Sequence, residues 1–102
     1  MQITITELLN DKTKKIKVKT ETISKWLLDG SMPVDELIAF AEKAKDAEKA
    51  TCIEAIEYAT KQNVKIADEK VLAFVTKMLT DKAPRVKWES ARVIGNIAHL
   101  FP

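Results

Sequence analysis

The chain holds one cysteine, one histidine, two glycines and three prolines in 102 residues, and each scarcity removes a class of protein. A single Cys52 cannot close an internal disulfide and suits a reducing cytoplasm. With His99 as the lone histidine, a zinc site of the usual type cannot be assembled within one chain. Cys52 and His99 are the only residues for a thiol nucleophile and an imidazole base, and nothing in the spacing brings them together. The two glycines, Gly30 and Gly95, lie 65 residues apart, so there is no glycine-rich phosphate loop. These gaps predict a protein that is not an enzyme, with no cofactor and no metal. No apolar run approaches the roughly 20 residues needed to span a bilayer. The start, Met1 to Glu7, lacks the basic residues and apolar core of a signal peptide. The net charge of +2 is too small to demand nucleic acid or an anionic membrane.

Helix-forming stock fills the rest. Hydrophobic residues make up 46% and charged residues 31%, with Ala, Glu, Lys, Leu and Ile dominant, which favours one all-α domain with a modest core. Thr4 and Glu7 have capping-box spacing and open a short helix over Ile5 to Asn10. The lysine-rich stretch Lys12 to Lys19 alternates Ile16 and Val18 with lysines and reads as a loop, a strand-like piece or a frayed helix entry. Glu21 to Asp29 reads as a helix with Ile23, Trp26 and Leu27 on its inner face, ended by Gly30. Apolar residues at 34, 37, 38, 41 and 44 give a near-3.6 period over Val34 to Lys45. Asp46 is placed to cap a helix over Ala47 to Gln62, whose apolar side includes Ala50, Cys52, Ile53, Ala55, Ile56 and Ala59. Cys52 reads as a small buried hydrophobe in that pattern. Asn63 to Ala67 is a connector. Asp68 caps Glu69 to Leu79, and Pro84 opens a final helix that reaches about Leu100.

The chain also repeats itself. Asp35 to Lys43 lies over Glu69 to Lys77 at an offset of 34, keeping Ala-Phe and the final Lys. Lys49 to Ile56 lies over Lys87 to Ile94 at an offset of 38, which places about four extra residues around Thr80 to Ala83. One helix pair therefore spans residues 34–63 and a second spans 68–100, with 1–33 as an N-terminal helical cap. The order Asp81, Pro84, Val86-Lys87, Ser90-Ala91, Ile94-Gly95 resembles the second helix of a HEAT repeat. Its copy departs from that pattern at Ala47, which stands in the place of the proline, and at Glu57, which takes the place of Gly95. The resemblance implies a HEAT/armadillo-like α-α superhelix, or α-solenoid, of two helical hairpins plus the cap. It also implies a protein-binding or scaffold module whose second helices line a concave surface.

Mapped onto that surface, two polar ridges result. On the last helix, Arg85, Glu89, Arg92, Asn96 and His99 recur every three or four residues, opposite Val86, Ser90, Val93, Ile94 and Ile97. The matching positions on the earlier helix are Thr51, Glu54, Tyr58 and Lys61. The ordinary reading of such a stripe is a solvated helix face. Tyr58 shifts the balance, since an aromatic ring on a polar stripe is a common interface anchor. The partner is therefore expected to be a protein. Nucleic acid is the weaker alternative, since some HEAT-like proteins are DNA alkylation-repair glycosylases with Trp, Asp and Arg in a basic groove. Trp88, Asp81 and Arg92 are the nearest residues here, but Glu48, Glu54 and Glu57 interrupt any basic groove. The lysines at 12, 14, 15, 17 and 19 lack the arginines and aromatics of a nucleic-acid site and read as a solvated basic segment.

Three features concern the outer edge. Trp88 is expected to pack on the preceding repeat, or else to mark a binding edge. Ala91, Gly95 and Ala98 form a small-residue stripe that admits a close helix, which in a HEAT array is the neighbouring repeat. On that packing, Gly95→Leu should cost about 1–3 kcal/mol by overpacking. The chain stops soon after this helix, so it is expected to be a fragment of a longer array or, second, to form a homodimer through its C-terminal edge.

Overall fold

The computed structural model describes residues 3–101. Among these there are six α-helices and no strand: α1 Ile5–Asn10, α2 Ile16–Asp29, α3 Val34–Lys43, α4 Asp46–Gln62, α5 Glu69–Met78 and α6 Pro84–Ile97. Single 3-10 turns follow α4 at Val64–Ile66 and α6 at Ala98–Leu100.

Local chemistry sets most of the boundaries. Thr4 accepts from Glu7 N at 3.1 Å while Thr4 N donates to the Glu7 carboxylate at 3.2 Å, the capping box expected for α1. Asp68 accepts from Val71 N at 3.0 Å and caps α5. Gly30 ends α2 at φ 82°, in the left-handed region where a side chain would strain the backbone. Pro84 sits in the first turn of α6, where its missing N–H costs nothing.

Several boundaries differ from the sequence reading. The helix expected from Glu21 begins five residues earlier, at Ile16, so most of the alternating stretch is helical. Its apolar residues misled the pattern because Ile16 and Val18 stay exposed. Asp46 is not a cap: Lys45 occupies that position, without a side-chain bond, and Asp46 begins the helix in a first turn that favours carboxylates. Helix α3 stops at Lys43 because Ala44 turns to extended backbone. Helices α5 and α6 end at Met78 and Ile97, short of Leu79 and Leu100.

Helix α4 lies at the centre. It packs against α2 on one flank and α6 on the other, while α3 packs against both α4 and α5, α5 against α6, and α1 against α2. The overall extents are 41 × 31 × 20 Å, and the shortest matches two helix layers about 10 Å thick. Helix α4 thus joins α2 to α6, and α3 and α5 close the other contacts of the bundle. The position of α4 explains its composition. Nine of its residues are buried, among them Ala50, Cys52, Ile53, Ala55, Ile56 and Ala59, on more than one side of the helix. Ile23, Leu37, Val71, Val75, Val86, Val93 and Ile97 complete the interior, and Trp26 joins it as expected.

Glu57 and Thr60 lie on the flank of α4 that meets α6, where Asn96 bonds to both. At the offset of 38 the same flank of α6 carries Gly95 and Ala98, with Ala91 one turn earlier. All three are exposed, and a Cβ on Gly95 meets nothing within 4 Å. Gly95→Leu therefore overpacks nothing within this chain, contrary to the sequence expectation. Trp88 is likewise 69% exposed and does not pack on the preceding hairpin. Because a glycine in a helix interior carries an entropic cost and this one has open space, Gly95→Ala should raise stability by roughly 0.5–1 kcal/mol. An unchanged or lowered melting temperature would contradict that placement.

Candidate functional site

The polar ridges of α4 and α6 face each other, and much of what was expected to meet a partner is used between the helices. Arg85 Nη2 donates to Glu54 Oε1 at 2.9 Å, and Nη1 reaches the Ala47 carbonyl and Thr51 Oγ1 at 3.5 Å each. The same Glu54 oxygen accepts from Thr20 Oγ1 of α2 at 3.0 Å, so one carboxylate ties three helices together. Asn96 Nδ2 donates to the Glu57 carbonyl and to Thr60 Oγ1, both at 3.1 Å. Thr51 is buried and donates to the Ala47 carbonyl at 3.0 Å. Glu89 is 8% exposed. Thr51, Glu54, Arg85, Glu89 and Asn96 thus belong to the helix seam or its floor rather than to a free ridge.

The remaining residues stay accessible. Tyr58, Lys61 and Arg92 line a groove of about 340 Å³ with Glu57 and Gln62. Tyr58 also borders a second groove of about 270 Å³, formed with Glu21, Ser24, Lys25, Leu28 and Gln62. The half-buried ring is therefore a ridge between two depressions, one shared with α2 and one with α6. His99 is exposed on the 3-10 turn beyond α6. Lys61 and Arg92 are exposed, and neither forms an ion pair within 4.0 Å among the described residues.

Several buried polar atoms lack partners. Glu57 Oε2, Glu89 Oε1, Ser24 Oγ and Ser90 Oγ are buried and accept or donate no hydrogen bond among the described residues. A buried polar atom left unpaired costs on the order of 1–3 kcal/mol. Two of the four, on Glu57 and Ser24, belong to residues lining the grooves on either side of Tyr58. Sequence reasoning placed neither residue in the site. The available signal was Glu57 itself, a carboxylate standing where the other copy has glycine, on a helix otherwise rich in buried residues.

Both signs of charge surround the ring, with Glu21 and Glu57 lining its grooves beside Lys25, Lys61 and Arg92. Burial, and then the fields of Glu54, Glu57, Glu21 and Glu89, raise the Tyr58 hydroxyl above its ordinary value. Glu89 is also raised, first by burial and then by Glu54 and Glu57, against opposing pulls from Arg92 and Arg85. A carboxyl raised in the folded state binds its proton more tightly there than in the unfolded chain. Its contribution to stability is full below the free value of 4.5 and is lost as the pH rises through the folded value. Glu89→Gln should therefore melt higher than the parent at pH 7, with the gap closing near pH 4. A constant gap across that range would show that Glu89 is not held in this way.

The rest of the chain offers little chemistry. Burial pushes the Cys52 thiol up to about 12, so it stays protonated at neutral pH, whereas His99 is exposed. No group of three metal-ligating side chains occurs among the described residues. No helix among them is long and apolar enough to cross a membrane. Of the residues suggested for a DNA-repair groove, Asp81 is paired with Lys49 at 3.6 Å and lines a separate depression with Lys77 and Lys82. The basic segment is partly engaged as well: Lys19 Nζ donates to the Leu9 carbonyl at 2.8 Å, and Lys14 pairs with Asp11 at 2.8 Å. Compared with family models, curated proteins and solved structures, the chain gives no match.

Proposed function

We propose that the protein is a non-enzymatic HEAT-like α-solenoid module that binds a protein partner on its α2–α4–α6 side. The observation that carries this reading is the half-buried Tyr58 standing between two grooves, with unpaired polar atoms on groove-lining residues at either side. Tyrosine supplies a rigid apolar face with a polar tip, the residue type enriched where interfaces concentrate their energy. The central place of α4 between α2 and α6, and the two offset copies in the sequence, support the solenoid reading. Function then rests on the partner-facing residues Tyr58, Lys61 and Arg92, with His99 at the far end of the ridge. Thr51, Glu54, Arg85, Glu89 and Asn96 act through the shape of the seam.

Tyr58→Ala, with Lys61→Ala and Arg92→Ala beside it, should weaken partner binding by about tenfold or more while leaving the fold intact. Retention of full binding by folded variants would reject the surface. The rival, a nucleic-acid module using the lysines at 12–19, predicts tight binding to duplex or single-stranded DNA at low salt that falls steeply as salt rises. We expect only weak binding in that titration, given the carboxylates around Tyr58. A second reading, assembly through the α6 edge, is favoured by the exposed Trp88 and the open stripe at Gly95. Sedimentation would then show association that depends on concentration and is lost in Trp88→Glu.

A further inference from the structure

We infer that the groove between α4 and α6 receives a basic side chain of the partner, an arginine or lysine followed closely by an acidic residue. This deepens the reading of the Tyr58 face as a protein-binding surface and rests on it. Glu57 lines the groove and is 6% exposed, with Oε2 buried and without a hydrogen bond, and Glu89 Oε1 is a second such oxygen on α6. Neither carboxylate is neutralised by an ion pair among the described residues, although Arg92 and Lys61 stand at the rim. Glu54 is different, because Arg85 already holds it.

The unpaired Glu57 oxygen and the Tyr58 ring that line the groove together match the needs of a guanidinium, which stacks on a ring and donates in its plane. The groove volume of about 340 Å³ sits at the lower end of small-molecule pockets, the scale of an inserted side chain. The rim cations account for the second half of the motif. Lys61 and Arg92 are exposed arms that move aside as the guest cation enters. They repel an isolated positive charge, so an acidic neighbour on the guest is needed to engage them. The incoming donor satisfies the Glu57 oxygen that the folded chain leaves unpaired, and that difference gives the basic residue its preference.

The test is an NMR titration of the full chain with the peptide acetyl-Gly-Arg-Glu-Gly-amide and its twin in which citrulline replaces arginine. Citrulline keeps the shape and removes the charge. Shifts should centre on Glu57, Tyr58 and Arg92, with the citrulline twin about tenfold weaker, as expected for charge-assisted bonds. Glu57→Gln, checked as folded by its amide spectrum, should abolish that preference. Equal binding of the twins, shifts confined to Lys12–Lys19, no shift at millimolar peptide, or an unchanged preference in folded Glu57→Gln would each overturn the inference. If instead an all-acidic peptide, acetyl-Gly-Glu-Glu-Gly-amide, shifts the Tyr58 face best, the basic guest is wrong while the binding face stands.

Discussion

Ile53→Ala should lower the stability of the domain by about 3–4 kcal/mol, seen as a marked fall in the urea midpoint with little change in slope. Ile53 is fully buried on α4, the helix that α2, α3 and α6 all contact. Removing three carbon atoms there loses their transfer from water and leaves a cavity in a place that cannot easily collapse, because helices hold it on several sides. The comparison residue is Ile16, 54% exposed near the start of α2. Ile16→Ala should change stability by less than about 0.5 kcal/mol. Equal effects at the two positions would mean that α4 is not the centre of the core. A loss of this size matters, since a domain of this length commonly has about 5–15 kcal/mol in total.

Glu54→Ala is expected to cost about 1–3 kcal/mol, more than a surface carboxylate, because it leaves two donors without their acceptor. Thr20 of α2 and Arg85 of α6 both bond to Glu54 Oε1, and the Glu54 side chain is 20% exposed. An exposed ion pair of the same residues would be worth only about 0–1 kcal/mol. A double-mutant cycle with Arg85→Ala isolates the pair, and a coupling near zero would show that the contact is only a surface pair. Glu54→Gln, which keeps an acceptor oxygen, should recover much of the loss.

These two residues show what was legible in the sequence. The capping box at Thr4 and Glu7, the Gly30 terminus and the Asp68 cap were readable because each is settled within three or four residues. The burial of Trp26 and Cys52 followed from helical periodicity, and the all-helical class from composition and repeats. The start of α2 was not readable, since its first apolar residues face solvent and carry no core signal. The polar stripe of Arg85, Glu89 and Asn96 was visible as a stripe, but a helix face does not declare its neighbour. With α6 against α4, that stripe became a seam, and the free surface narrowed to Tyr58, Lys61 and Arg92. Glu57 was hidden for a related reason: it is buried where α6 meets α4, with Asn96, 39 positions further along the chain, bonding to its carbonyl, and no local pattern encodes that. At Trp88 and Gly95 the expected neighbour was a repeat, and both lie open in this chain.

The central claim is that a protein partner docks on the α2–α4–α6 side. The most direct measurement places one photo-crosslinking residue at Lys61, on the groove rim, and in a second sample at Ala73, exposed on α5, which packs on α3 and α6. Adducts are then compared with and without Tyr58→Ala and with and without nuclease. Discrete protein adducts from position 61 should survive nuclease and disappear with Tyr58→Ala, with none of comparable yield from position 73. Adducts that favour position 73, or that vanish with nuclease, would contradict it.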